Sequence, residues 1–124
     1  MPNTNFYNQG EYIPDNLLAG EYPRVQRLVT IAAGADLTKG AVLGKITASG
    51  KFKLSASAAV DGSQTPDAIL AENASAALAD VQAVVYYAGE FNETALVLGV
   101  GHTIDTIRPT LRSKNIYMRK NQAA

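Results

Sequence analysis

Residues 41–55, AVLGKITASGKFKLS, and residues 84–96, VVYYAGEFNETAL, decide the fold. In the first, the short runs AVLGKIT and FKLS flank Ala48-Ser49-Gly50-Lys51, where Gly50 can take positive φ at little cost. This predicts a β-hairpin. In the second, the apolar run extends back to Val81, and Val81 to Phe91 reads as a longer strand with Tyr86 and Tyr87 on opposite faces. Between the two lies SASAAVDGSQTPDAILAEN (55–73), small and polar up to Asp67, with Asp61-Gly62 and Pro66 marking a turn and a stop. That predicts a long surface loop followed by a short buried strand over Ala68–Glu72. From Gly40 to Asn92 there is no histidine, no cysteine and no clustering of carboxylates. Such a stretch builds a scaffold that binds rather than one that reacts.

Working outward, RVQRLVTIAA (24–33) alternates Val25, Arg27, Val29 and Ile31 with Gln26, Leu28, Thr30 and Ala32, a period of two that predicts a strand. AGADLTKG (33–40) reads as a connector between glycines. Ala74–Leu78 reads as a loop or a single helical turn, and Ala95–Val100 as a further run of strand type. Toward the carboxyl end the period changes: Ile104, Ile107 and Leu111 recur at helical spacing, with Asp105 as N-cap and Pro109 in the first turn. Asn115 can end that helix, and IYMR (116–119) reads as a closing strand. The sum is mainly β (α+β): about six short strands in a small β-barrel or sandwich-like domain with one C-terminal helix.

The first 23 residues differ. Asn, Tyr, Gly and Pro dominate, no period is present, and ordering each residue costs about 1–2 kcal/mol of backbone entropy that such a composition cannot offset alone. Yet Phe6, Tyr7, Tyr12, Ile13 and Tyr22 give this segment an aromatic load too high for a spacer. The expected division is an extended N-terminal arm, 1–23, and a β-rich domain, 24–124. The arm is expected to order against a partner.

With 124 residues and 13.1 kDa, the chain is one domain that buries roughly 65% of its unfolded surface. Eleven Lys and Arg balance eleven Asp and Glu, so net charge draws the protein neither to nucleic acid nor to a membrane. The charge is uneven, however. From Thr103 onward five bases (Arg108, Arg112, Lys114, Arg119, Lys120) face Asp105 alone, a net +4 that leaves −4 on the first 102 residues. That asymmetry suits contact between copies or with an acidic partner surface. Without cysteine, the fold uses no disulfides and no thiolate metal sites. MPNTNFYNQGEYIPDN (1–16) has neither the basic nor the apolar region of an export signal, and no apolar run approaches a membrane span of roughly 18 residues. The expectation is a chain made and folded in a cytosol, which sets aside the acceptor patterns at Asn73 and Asn92.

Candidate chemistry is sparse. Gly99-Val100-Gly101 precedes the expected helix as a dinucleotide-binding turn would, but the third glycine is missing and no βαβ unit can follow. His102 is the only histidine, and the sequence assigns it neither nucleophile nor orienting carboxylate. Asp61, Asp67, Glu72 and Asp80 are too loosely spaced for a calcium loop. No catalytic residue, cofactor or metal is expected, and Tyr117 in IYMRK is expected to pack into the fold rather than to bind nucleic acid.

In order along the chain, AVLGKITASGKFKL, the DGSQTPDAIL segment, VVYYAGEFNETAL and the ending LRSKNIYM resemble the head decoration proteins of tailed bacteriophages, the lambda protein D-like family. The resemblance covers roughly residues 24–120; the arm matches only in being extended and polar. It implies a small β-rich homotrimer, without a catalytic site, made in the host bacterial cytoplasm. It also implies a place on the outer surface of the virion, at the three-fold and quasi-three-fold sites of the expanded head. There it would clamp major capsid subunits against the pressure of packaged DNA. Carried over by position and composition, the capsid-binding residues would be Phe6, Tyr7, Tyr12, Ile13 and Pro14, and candidates for the trimer interface are Phe91, Asn92, Arg108 and Arg112. The alternative is an oligomeric β-barrel adhesin or receptor-binding module of a larger assembly, with Tyr86 and Tyr87 as a stacking platform.

Overall fold

The computed structural model describes residues 17–18 and 23–119. Five strands close a barrel: β1 (Val25–Ile31), β4 (Phe52–Leu54), β3 (Val42–Lys45), β5 (Pro66–Leu70) and β7 (Val81–Asn92), which returns to β1. A small second sheet pairs β2 (Ala35–Leu37) with β6 (Ala74–Ala76), and β8 (Ile116–Arg119) lies parallel to the end of β7. One helix, α1 (Ile104–Arg112), packs outside the barrel.

The predicted hairpin is β3 and β4, antiparallel with Leu43 opposite Leu54, and Gly50 sits in its turn at φ 76°. Main-chain bonds from Gly50 N–H to the Ile46 carbonyl and from Ile46 N–H to the Lys51 carbonyl, both 2.8 Å, close it. β7 is the central strand. It pairs antiparallel with β1 over its first half and with β5 at Ile69–Tyr86 and Leu70–Val85. Against β1 the register runs from Gln26–Tyr86 to Val25–Ala88, so Tyr87 is an extra residue, a β-bulge. The bulge reverses which parity faces which core. Ala83, Val85 and Tyr87 face the barrel interior, Tyr86 faces the helix before the bulge, and Phe91 faces it afterwards. Two cores follow. Ile31, Leu43, Phe52, Leu70 and Val85 fill the barrel, while Val42, Ile69, Tyr86, Phe91, Ile107, Leu111 and Ile116 fill the space beneath α1.

Five local expectations are corrected. β5 starts at Pro66, which was read as a stop; a proline is tolerated as the first residue of a strand, where its missing N–H interrupts no ladder. β2 and β6 stand where a connector and a helical turn were expected. They are held by burial of Leu37, Ala74 and Ala76, with Asp36 accepting from Ala77 N–H at 3.1 Å and Asn73 from Lys39 N–H at 2.8 Å. Ala95–Val100 is not a strand. A 3-10 turn (Glu93–Ala95) opens it, and its one bridge joins Val97 to Ala41. The helix N-cap is Thr103, not Asp105, because Thr103 and Thr106 form a reciprocal capping box; Pro109 therefore falls in the second turn. The carbonyl that Pro109 cannot serve, that of Asp105, belongs to an exposed residue that water can satisfy. The helix ends at Arg112 with Ser113 as its C-cap, not at Asn115, which at φ 67° turns the chain into β8 two residues later.

Candidate interaction surfaces

Leu17 and Leu18 fall in the amino-terminal segment, yet they belong to the packed body. Leu17 is only 3% exposed within the core beneath α1, and its carbonyl accepts from Asn92 N–H at 2.7 Å. Leu18 bridges Phe91 in antiparallel sense. The chain thus runs along the end of β7 before it enters β1. The five proposed capsid contacts, Phe6, Tyr7, Tyr12, Ile13 and Pro14, lie outside the described residues.

Three of the four interface candidates, Phe91, Asn92 and Arg108, gather around the end of β7. Phe91 is fully buried, its ring tilted at 50° against that of Tyr86 with 5.3 Å between ring centres. Asn92 is 3% exposed, and its side chain caps the 3-10 turn by accepting from Thr94 N–H and Oγ1. Both therefore act inside the folded body, and the surface they support is formed by their neighbours. Arg108 donates to Glu93 Oε1 at 2.7 Å and to the Met118 carbonyl at 3.2 Å, which ties helix, turn and β8 together. Arg112 is exposed and makes no ion pair among the described residues. Glu93, Thr94, Thr103, Ile104, Asp105 and Arg108 border a shallow groove there.

His102 sits where two loops meet. Its Nε2 lies 3.1 Å from both Ser55 Oγ and the Gln64 carbonyl. A carbonyl can only accept, so Nε2 carries the proton and has no lone pair with which to activate Ser55. Ser55 is also fully buried. The arrangement fastens loops; it does not prepare a nucleophile. Gly99, in the turn read for a dinucleotide fingerprint, presses against the Ser55 carbonyl so closely that a Cβ there would collide with it.

Each of the four carboxylates considered for a metal has its own partner. Asp61 accepts from the hydroxyl and N–H of Ser63, which with the nearby Lys53 hold its carboxyl below the ordinary value. Asp80 is likewise lowered, by Lys51 and by Ala33 N–H. Asp67 pairs with Lys114 at 2.8 Å, and Glu72 accepts from Val84 N–H at 2.8 Å. Among the described residues no group of three or more His, Cys, Asp or Glu could hold a metal ion. Tyr86 and Tyr87 do not share a platform. Tyr86 is buried beneath α1, whereas Tyr87 lies on the other face, 6.4 Å from the Phe52 ring, its phenol pushed up chiefly by burial.

What the sequence did not single out is the Leu17–Leu18 anchor and the His102 fastening. The first had a signal, a pair of leucines just before Pro23 in an otherwise polar stretch. The second had none, since Ser55, Gln64 and His102 are distant in the chain.

No curated protein matches the chain significantly. A family model does: that of bacteriophage lambda head decoration protein D matches residues 6–113, from within the amino-terminal segment through the barrel to the end of α1. The match begins well before Arg24, where the resemblance of individual motifs starts, and it ends short of β8. The five-stranded barrel with one carboxyl-terminal helix falls within the stretch that matches, and the chain belongs to the bacteriophage lambda head decoration protein D family.

Proposed function

We propose that this protein is a cement of the phage head: a homotrimer that binds the outer surface of the expanded capsid at its three-fold and quasi-three-fold sites, joins neighbouring major capsid subunits and stabilises the shell against packaged DNA. One observation carries the reading, the family match that takes in the segment bearing Phe6, Tyr7, Tyr12, Ile13 and Pro14 together with the barrel. Residues 1–16 act as the capsid-binding arm and the remainder as the trimer body, in which Arg108 and Arg112 stand nearest the contact between copies, over the end of β7 that Phe91 and Asn92 support.

The energetics suit three arms on one body. Ordering about ten residues per arm costs on the order of 10–20 kcal/mol, which backbone pairing by strand addition and burial of the aromatic anchors must offset. Once one arm has engaged, the other two bind at high effective concentration. A trimer that binds only the assembled shell stabilises that state by mass action. The test combines mass measurement in solution with co-sedimentation on expanded, undecorated heads of the cognate phage. A trimer that pellets saturably is the expected result; a monomer, or a trimer left in the supernatant at all concentrations, overturns the reading.

A further inference from the structure

The barrel has an open edge. Val84 donates its N–H to Glu72 Oε2 at 2.8 Å and accepts at its carbonyl from Ala71 N–H at 2.9 Å, so both of its main-chain groups point toward β5 and away from β1. Leu28 stands opposite Val84, and facing residues of an antiparallel pair turn their main-chain groups either both toward or both away from each other. Leu28 therefore points its N–H and carbonyl away from β7, and so do Gln26 and Thr30, two residues to either side. Ala32, of the same parity, shows where that edge leads: its N–H reaches the Phe52 carbonyl of β4 at 2.8 Å. But β4 meets β1 only at Ile31–Phe52, because the chain before Phe52 turns off into the hairpin with β3. The same bridge takes the Thr30 carbonyl through Phe52 N–H, and among the described residues the edge over Gln26 and Leu28 has no main-chain partner.

Natural sheets guard such an edge with lysines, prolines or bulges. Here the edge instead carries exposed apolar side chains, Leu28 at 62% and Val25 at 43% exposure. Beside them Arg24 and Arg27 are exposed and, like Lys45 and Arg112 elsewhere, make no ion pair among the described residues, whereas Lys51, Lys53, Arg108, Lys114 and Arg119 have carboxylates. Leu28 and Val25 stand on opposite faces of the strand, as do Arg24 and Arg27, so each face of the edge sets an exposed apolar side chain beside an unpaired arginine and calls for a strand that brings carboxylates and an apolar side chain. A second copy pairing through β1 would bring two more arginines to the same place.

We infer that the β1 edge accepts an extended, acidic segment of the shell protein as an added strand. Its main chain pairs with Gln26 and Leu28, its apolar side chain covers Leu28, and its carboxylates meet Arg24 and Arg27. The inference rests on the shell-binding reading and adds to it a receiving edge on the body, separate from the arm.

Two variants test it. In Leu28→Pro the lost N–H serves no bond of the barrel, so the β1–β7 ladder keeps its hydrogen bonds while the edge loses that donor. Arg24→Glu with Arg27→Glu reverses the charge without touching the main chain. Mass and thermal melting are compared with wild type, and binding to expanded, undecorated heads is measured by co-sedimentation. The expected result is native mass with at least about tenfold weaker binding for each, equivalent to about 1.4 kcal/mol. If Leu28→Pro fails to fold, the double arginine variant decides. Undiminished binding of both variants, or of the double variant in that case, overturns this inference alone. A drop in oligomer mass would assign the edge to a second copy and overturn it too. If the wild type does not pellet, the shell-binding reading fails and takes the inference with it.

Discussion

Replacing Leu17 by alanine separates the anchor from the arm it secures. The side chain is 3% exposed among Val42, Ile69, Tyr86, Phe91, Ile107, Leu111 and Ile116, and the main-chain bond from Asn92 N–H to the Leu17 carbonyl survives the substitution. Removing a buried leucine costs about 2–5 kcal/mol, the lower values applying where neighbours can close in. Leu17 lies at the margin of its core, so the expected loss is about 2–3 kcal/mol. At about 4 °C per kcal/mol for a domain of this size, the melting midpoint falls by about 8–12 °C. Leu18→Ala, at a half-buried position, serves as the internal reference and loses less than about 1 kcal/mol. Calorimetry or circular dichroism, run at one protomer concentration because assembly feeds into apparent stability, reads both. If Leu17→Ala melts within about 2 °C of wild type, or no lower than Leu18→Ala, Leu17 does not belong to the core and the anchor is refuted.

A truncation starting at Asn16 is expected to keep the wild-type melting midpoint and trimer mass but not to pellet with undecorated heads; wild-type pelleting would sink the arm as the capsid-binding element. A truncation starting at Arg24 also removes Leu17, so a melting midpoint lower than that of the Asn16 truncation is expected, and identical scans would contradict it. His102→Ala loses the shared donor to Gln64 and Ser55, which costs about 1–3 kcal/mol in urea unfolding; an unchanged midpoint would show that the loops are held by other bonds. Gly99→Ala drives a methyl group into the Ser55 carbonyl and costs at least about 1–3 kcal/mol, and a variant of wild-type stability would refute the close approach. Because the Asp61 and Asp80 carboxyls are held below their ordinary values, their contribution is complete above about pH 4 and is lost as pH falls through the lowered values. Asp80→Asn should therefore flatten the acid limb of a stability profile, and an unaltered limb counts against the Lys51 pairing. Tyr87 has the opposite sign: its raised value in the fold gives a contribution present below about pH 10 and lost above it, so Tyr87→Phe should soften the alkaline limb.

The parts of the fold legible in the sequence were those whose signal is local. The β3–β4 hairpin announces itself through alternation and Gly50, and α1 through Ile104, Ile107 and Leu111. β2 and β6 escaped because three residues of Ala, Asp, Ser or Leu carry no strand preference; burial of Leu37 and Ala76 makes them strands. Ala95–Val100 misled in the other direction, since its apolar content serves packing at Leu96 and Leu98 with a single bridge at Val97. The cap was legible but misassigned. Thr103 and Thr106 bond reciprocally, a pattern that outranks an aspartate two residues later. Of the surfaces, the open β1 edge was not legible, because it depends on which way the main chain of Leu28 turns. That direction is set by the pairing of Val84 and is written in no residue type.

Leu18, Phe91 and Met118 lie side by side on three adjacent strands, with the first running opposite to the other two. At about 4.8 Å per strand, the entry and exit of the body are about 10 Å apart, both at the same end of β7. Tension applied ahead of Leu17 thus runs along the strand axis and is received as shear by Phe91 and Asn92, which β8 grips from the other side. Parallel bonds loaded in shear share a force, whereas bonds loaded in peeling yield one at a time. Under the proposed function, a shell that swells and tugs on the arm would meet the body along its stiffest direction.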